Sequence, residues 1–208
     1  MLLVYIFFMN YEIELKAHVY DRAHVSQCLN KIGSYLGHTQ KSDDYYHFPL
    51  PSDISAPDGR NFLSARIREE KTTNGKLITD SFLFTYKKKE VLKNEDGTQI
   101  EVNDENESVI TDAKAFRTFF EDLGATIDLH KEKSVDGWNV EIDGVTAHAE
   151  LCEVPPLGDF LEIEIIKEKN DEETVKKMKD IIMKIFEKCG IKKEDIESRY
   201  YRDMLKKL

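Results

Sequence analysis

Like charges recur at alternating positions in several segments of the 208-residue chain. Residues two apart on a β-strand point to the same face of a sheet, so each such pair places its charges on one strand face. The charged faces are formed by Glu12, Glu14 and Lys16, by Arg66 and Arg68, by Thr85 and Lys87, by Glu105 and Glu107, by Lys131 and Lys133, and by Glu162 and Glu164. Such faces must meet either bulk water or an enclosed polar space.

Short turns and helical segments separate the strands. Asn-Gly or Asp-Gly pairs at 74–75, 96–97, 136–137 and 143–144 predict tight turns. Apolar residues at helical spacing predict three helices and a short final one over 197–208. The first is capped by Asp21 and ended by Gly37, and the second is capped by Thr111 or Asp112 and ended by Gly124. The third begins near Asn170 or Asp171 and is ended by Gly190. We therefore predict a single α+β domain over 1–208, a closed antiparallel β-barrel of about eight strands with helices packed outside.

The net charge of −10 excludes some classes of partner. Proteins that bind nucleic acid or anionic membranes nonspecifically usually carry a basic face, so we expect neither partner. The apolar run at 2–8 is far shorter than the roughly 20 residues that a membrane span needs. Residues 1–9 are therefore interpreted as an extra edge strand or as a non-native extension before Met9.

The three cysteines are Cys28, Cys152 and Cys189. No two of them have CxxC spacing, so neither a disulfide framework nor a zinc site is predicted. A reducing, cytoplasmic setting fits this usage best.

Two interpretations of the charged faces remain open. With 34% charged residues, any single pair can be an ordinary solvated surface. If the faces instead line a barrel, the lumen cannot be dry, because unpaired buried charge is costly. Lysine and arginine would then neutralise a polyanion, and glutamates would hold hard divalent cations that bridge its phosphates.

The order of the motifs resembles one known family. Glu12-Ile13-Glu14-Leu15-Lys16 forms an ExExK motif, Asp44-Tyr45-Tyr46 is similar to a D-x-Y-F strand, and Leu157 to Glu164 is similar to an LG-x-F-x-E-I-E segment. Four further family motifs follow in order: RxR at 66–68, T-x-K at 85–87, ExE at 105–107 and K-x-R at 131–133. The segment 197–205 resembles a C-terminal R-S-Y-x-x-L-L element. Together they resemble the CYTH family of triphosphate tunnel metalloenzymes, with the class IV adenylyl cyclase branch nearest.

The resemblance implies roles for individual residues. Polyphosphate would contact Lys16, Arg66, Arg68, Lys87, Lys131, Lys133 and Arg199. Mg²⁺ or Mn²⁺ would be held among Glu12, Glu14, Glu105, Glu107, Glu150, Glu162 and Glu164. Catalysis would rest on Glu12, Glu14, Lys16 and Lys87. Cys152 departs from the pattern, since the family usually has aspartate there and a thiol is a poor ligand for Mg²⁺; Glu150 on the same face is the substitute that we predict.

These implications lead to three functional hypotheses. The first is a metal-dependent enzyme of the adenylyl cyclase type, converting ATP to cyclic AMP and pyrophosphate. The second is a triphosphatase acting on tripolyphosphate, thiamine triphosphate or a nucleoside triphosphate, and the third is a noncatalytic binder of polyphosphate or nucleotides. The cyclase branch also suggests a homodimer.

Overall fold

The computed structural model describes residues 11–56, 61–93, 99–168 and 171–208, with backbone alone at 87–93 and 99–105. The segment 1–9, the predicted turn at 96–97 and the side chains of Lys87 and Glu105 thus lie outside the described part. Among the described residues, no helix is long and apolar enough to cross a membrane.

Eight strands form one curled antiparallel sheet. They are β1 (Tyr11–His18), β2 (Gly33–Pro49), β3 (Phe62–Asn74), β4 (Leu77–Lys93), β5 (Gln99–Ile110), β6 (Thr126–Ile142), β7 (Val145–Val154) and β8 (Gly158–Lys167). Their order in the sheet is β1-β5-β4-β3-β2-β6-β7-β8. β1 pairs with β8 along its whole length and with β5 over residues 11–14. The predicted α+β class and eight-stranded antiparallel sheet are confirmed.

The described residues form four α-helices; the first three pack on the outside of the sheet, whereas the short C-terminal one packs at the cavity. They are α1 (Arg22–Ile32), α2 (Ala113–Asp122), α3 (Glu172–Lys188) and α4 (Tyr201–Leu205), with a short 3₁₀ helix at Lys193–Asp195. The side chains of Asp21, Asp112 and Asp171 accept hydrogen bonds from backbone N–H groups in the first turns of α1, α2 and α3. These aspartates therefore satisfy N–H groups that a helix leaves without an internal partner, as the sequence predicted.

The outer face of the sheet carries two apolar cores. Residues such as Ile13, Ile163 and Leu151 point from β1, β8 and β7 towards α1 and α3 and are fully buried. A smaller aromatic core packs Tyr46 against Phe120 of α2. Since successive strand residues alternate between faces, burial of these apolar residues outside turns their charged neighbours inwards.

Two predicted boundaries are wrong. Helix α1 ends at Ile32 rather than at Gly37, because the chain from Gly33 pairs with β6 and an added Cβ at Gly33 would lie 2.8 Å from the carbonyl oxygen of Asn139. The 136–137 pair is not a turn, because β6 runs through it with β2 and β7 on its two sides. Tertiary pairing overrides the local signal in both places.

The hairpin turn at 143–144 is confirmed, and the one predicted at 74–75 is confirmed with its two connecting residues at 75–76. β3 and β4 pair up to Asn74 opposite Leu77, and β6 and β7 pair up to Ile142 opposite Val145. Asp143 and Gly144 have φ values of 52° and 73°, the left-handed conformations that a two-residue hairpin turn of this type requires.

The core beneath α3 predicts a stability difference between two phenylalanines. Phe186 is fully buried, whereas Phe119 on α2 is 59% exposed. We expect Phe186→Ala to lower the free energy of unfolding by about 3 to 5 kcal/mol, because it removes buried area and leaves a cavity. Phe119→Ala should cost less than about 1 kcal/mol. Urea unfolding followed by circular dichroism measures both, and equal losses would contradict this description of the core.

Candidate active site

The inner face of the curled sheet surrounds a cavity of about 390 Å³. Most of its wall is charged. Seven cationic side chains line it: Lys16, Lys41, Arg66, Arg68, Lys131, Lys133 and Arg202. Seven carboxylates do so as well: Glu12, Glu14, Glu70, Glu107, Glu150, Glu162 and Glu164. Among the described residues the formal charge of the lining therefore balances, leaving His148 aside.

The cations are shielded from bulk water. Lys16 and Arg66 are each 9% exposed, Lys131 is 5% exposed and Lys133 is 4% exposed. The alternative that these strand faces form a solvated surface is therefore wrong for β1, β3 and β6. Burial of this kind strengthens electrostatic interactions because the local dielectric constant is lower than that of water.

Asp43 organises two of these cations. Its carboxylate is completely buried and accepts hydrogen bonds from Nε and Nη2 of Arg68 at 2.5 and 3.0 Å. Nζ of Lys131 lies 2.9 Å from Oδ2 of the same carboxylate. Burial would raise the pKa of Asp43, but Lys131 and Arg68 hold it well below the usual range. Asp43 therefore remains ionised and fixes both cationic groups towards the cavity.

A second cluster joins two lysines to two glutamates. Nζ of Lys133 lies 3.0 Å from Oε2 of Glu150 and also contacts the carboxylate of Glu162. Nζ of Lys41 donates to Oε1 of Glu150 at 2.6 Å. Burial would raise the pKa of Glu162, but the Lys133 ammonium lowers it to about 2. The same balance between burial and Lys133 keeps the pKa of Glu150 well below its usual value.

The carboxylates of β1 and β8 form a different group. Glu14 lies directly opposite Glu164 in the strand register, and Lys16 lies opposite Glu162. Side chains paired in this way have Cβ atoms about 5 Å apart. Burial raises the pKa of Glu164, with a further raising effect from Glu150 and a lowering effect from His148. A cation placed beside Glu14 and Glu164 would offset the cost of ionising them together.

These two carboxylate groups differ in how well they suit a divalent metal. Glu150, Cys152 and Glu162 place ligand atoms within 4.8 Å of one another, but Lys133 already contacts both carboxylates. Burial raises the pKa of the Cys152 thiol well above its usual value, and a neutral thiol is a poor ligand for a hard cation. Glu12, Glu14 and Glu164 supply oxygen donors alone, the chemistry that Mg²⁺ and Mn²⁺ prefer.

Strands β4 and β5 complete the wall. The hydroxyl of Thr85 donates to Oε2 of Glu107 at 2.9 Å and accepts from Nη2 of Arg66 at 3.0 Å. Lys87 and Glu105 are paired in the strand register, so the backbone carries the T-x-K and ExE segments side by side. Their side chains lie outside the described part.

The C-terminal segment covers part of the cavity. The ring of Tyr201 lies 4.8 Å from Nζ of Lys16, 5.3 Å from Nζ of Lys131 and 5.9 Å from Nζ of Lys133. A π face at such distances attracts cations. Arg202 also lines the cavity, and its Nη2 is 2.5 Å from Asp128 on β6.

Arg199, the predicted phosphate contact from this segment, is not among the cavity-lining residues. Its side chain is 55% exposed, and its Nε and Nη2 donate to Glu197 at 2.9 and 2.5 Å. Tyr201 and Arg202 of the same segment occupy the wall instead.

Several wall residues escaped sequence reasoning. Lys41, Asp43 and Tyr45 alternate along β2 and belong to the inner layer, whereas the neighbouring Asp44 pairs outside with Arg117 and with His130 at 2.7 Å. The period-two pattern contained this signal, but two adjacent aspartates made the face ambiguous. Glu70 carried no pattern that distinguished it from surface residues, and within the C-terminal element at 197–205 only Arg199 was assigned a role, not Tyr201 or Arg202.

Comparison with known proteins identifies the family of this arrangement. The model of the CYTH domain matches residues 10–201. The chain belongs to the CYTH family. Members of this family act on triphosphates, which agrees with the resemblance drawn from the motifs. No curated protein matches the chain significantly.

Solved structures share the fold. The PH1819 protein of Pyrococcus horikoshii OT3 is 26% identical, with a TM-score of 0.69 over 95% of this chain and 99% of that chain. The PH1012 protein of the same organism is also 26% identical, with a TM-score of 0.61 over 92% and 98%. A proposed adenylate cyclase from Vibrio parahaemolyticus is 17% identical, with a TM-score of 0.65 over 94% and 98%, and shows likeness of fold alone.

The contacts of Asp43 predict a large effect of removing its charge. We expect Asp43→Asn to lower the free energy of unfolding by about 3 to 5 kcal/mol at neutral pH, because Arg68 and Lys131 would keep buried charges without their counter-ion. The pKa of Asp43 is depressed from 3.8, so this contribution is present above that pH and declines as the pH falls below it. Urea unfolding at several pH values measures the effect.

Asp44→Asn is the matched control. Asp44 pairs on the outer side with Arg117 and His130, whose side chains are 31% and 52% exposed. Its loss should cost about 1 kcal/mol. Equal losses for the two variants would show that Asp43 does not organise the interior.

Proposed function

We propose that this chain is a divalent-metal-dependent enzyme that acts on a triphosphate held inside its curled sheet. The proposal rests on one observation: buried lysines and arginines line the same cavity as a group of carboxylate oxygen donors. The predicted closed barrel and triphosphate tunnel belong to the same proposal. The pairing of β1 with both β5 and β8 supports closure.

Charge balance supports the requirement for metal. Seven cationic and seven acidic side chains line the described wall, giving 7 − 7 = 0. A triphosphate adds about four negative charges. Two divalent cations would restore neutrality, and the carboxylate oxygens of Glu12, Glu14 and Glu164 would hold them. When bound, Mg²⁺ or Mn²⁺ would neutralise phosphate oxygens and activate the attacking hydroxyl or water.

The protein's own groups would bind and orient the substrate. Arg66 and Arg68 offer planar donors suited to phosphate oxygens, and Lys16, Lys131 and Lys133 add point charges. Asp43 holds Arg68 and Lys131 in place before binding, which lowers the reorganisation needed at the transition state. Phosphoryl and nucleotidyl transfer depend mainly on such positioning and charge stabilisation. Lys87 and Glu105 keep their proposed roles from the family motif.

Two reactions use the same cationic cradle. In the cyclase reaction the ribose 3′-oxygen attacks the α-phosphorus of ATP and pyrophosphate leaves, as the resemblance to the class IV branch suggests. In hydrolysis, water attacks the terminal phosphorus of tripolyphosphate, thiamine triphosphate or a nucleoside triphosphate. Hydrolysis gains support from the described wall, because its aliphatic members are Ala65 and Leu83, and Tyr45 and Tyr201 adjoin lysines, so little apolar surface is offered to a nucleotide base.

A product assay tests the proposal. The purified chain is incubated with Mg²⁺ or Mn²⁺ and separately with ATP, tripolyphosphate and thiamine triphosphate. Cyclic AMP with pyrophosphate would establish the cyclase, and orthophosphate would establish a triphosphatase. We expect Glu14→Gln to lower the rate at least about 100-fold, because it removes a charged oxygen donor for metal.

Glu132→Gln is the control for that variant. Glu132 lies on the outer face of β6, and its side chain is 57% exposed. Its substitution should leave the rate within about twofold. Binding of every triphosphate without product would overturn the enzymatic proposal in favour of a noncatalytic polyphosphate-binding protein.

The elevated pKa of Glu164 predicts how the rate depends on pH. Burial raises that pKa above 4.5, so the carboxylate takes up a proton at a higher pH than an ordinary glutamate does. Protonation removes a metal ligand, so the apparent metal affinity should fall on acidification while the pH is still above 4.5. Metal titrations of the rate at several pH values, with Glu164→Gln as comparison, measure this. If metal affinity depends on pH in the same way in the wild-type protein and in the Glu164→Gln variant, Glu164 is not a metal ligand.

The remaining expectations extend this proposal. A small-molecule triphosphate is the proposed partner, with no nucleic acid and no membrane. A cytoplasmic location and a homodimer stay predictions, tested by fractionation of the native cells and by light scattering.

A further inference from the structure

Two cysteines that are far apart in sequence meet outside the cavity. Cys28 lies on α1 and Cys189 is the C-terminal cap residue of α3. Sγ of Cys28 donates to the carbonyl oxygen of Lys188 at 3.0 Å, one residue before Cys189. Burial raises the pKa of the Cys189 thiol, and the neighbouring Cys28 raises it further. Both are free thiols, and neither belongs to the cavity wall.

The two thiols differ in their access to solvent. Cys189 is 1% exposed inside the apolar core beneath α3, whereas Cys28 is partly buried at the edge of that core. His24 precedes Cys28 by one helical turn, on the same side of α1. Its Nε2 lies 3.3 Å from the position that a Cβ would take on Gly190, so the imidazole also stands at this junction. Cys28 is therefore the thiol that a small reagent reaches first.

We propose that Cys28 and Cys189 form a reversible disulfide that ties α1 to α3 when the chain meets a low-molecular-weight disulfide oxidant. The Cys28 thiolate attacks one sulfur of the oxidant, forming a mixed disulfide and releasing one small thiol. Cys189 then attacks the Cys28 sulfur, forming the protein disulfide and releasing the second small thiol. The protein loses two protons and two electrons in total, and the oxidant gains them as its two thiols.

The proposed disulfide would increase the free energy of unfolding without altering the cavity. It closes a chain loop from 28 to 189, which contains nearly all of the sheet. A cross-link of this length restricts the unfolded chain strongly. Helices α1 and α3 pack on the outer face of the sheet, whereas the proposed substrate groups lie on the inner face. The inference therefore stands independently of the proposed catalytic activity.

Thiol counting on the full chain tests the proposal. The native protein is incubated with oxidised glutathione or with dithiothreitol, and free thiols are then counted in denaturant. We expect three thiols after dithiothreitol and one after oxidation, since the chain has three cysteines. The midpoint of thermal unfolding should rise by about 5 to 10 °C on oxidation and return on reduction.

Matched variants distinguish this pair from other oxidations. Cys28→Ser and Cys189→Ser should each abolish the rise in midpoint, whereas Cys152→Ser should retain it. Because Cys189 is buried, peptide mapping of the oxidised wild-type chain provides a second readout that does not depend on the folding of a variant. A linked peptide containing Cys28 and Cys189 supports the proposal. Three free thiols after oxidation, a stable mixed disulfide on Cys28, or a link to Cys152 would overturn it.

Discussion

The mutual neutralisation of charges inside the curled sheet is the constraint on which the rest of the structure depends. Cationic and acidic side chains are taken out of bulk water together, and the clusters around Asp43 and Lys133 each hold both signs. Removing a charge from water costs several kcal/mol, so such a wall persists because its groups compensate one another. Asp43 shows this most clearly, since one buried carboxylate contacts both Arg68 and Lys131.

This internal pairing shapes how the cavity would receive a ligand. An incoming phosphate would compete with Asp43 for Arg68 and with Glu150 for Lys133. Its binding free energy would therefore be the difference between the ion pairs that it forms and those that it replaces. The same competition would weaken the binding of smaller anions, because they offer fewer compensating interactions. Divalent cations change the balance because they attract both the phosphate oxygens and the carboxylates that the phosphate would displace. Metal and substrate binding should therefore reinforce each other.

The outer layer has a separate physical role. Helices α1 and α3 bury the apolar faces of β1, β6, β7 and β8, and this burial keeps the register that turns Glu14 and Glu164 inwards. A shift of one residue in either strand would exchange the apolar and charged faces. Cys28 and Cys189 lie in this same layer. A disulfide between them would stabilise the packing of the helices on the sheet without entering the cavity.

The sequence by itself determined the strand periodicity, the helix cap at Asp21, the other two helix starts to within a residue, and the family, because these depend on neighbours close in the chain or on the order of motifs. It also singled out Arg66, Arg68, Lys131 and Lys133, since like charges two residues apart reveal one face of a strand, and Lys16 through the ExExK motif. Only the tertiary structure decided that Asp43 rather than Asp44 faces inwards, that Tyr201 rather than Arg199 joins the wall, and that α1 gives way to β2 at Gly33. Each of those outcomes depends on pairing or packing between distant segments, whose energies exceed the local preferences that a sequence pattern reports.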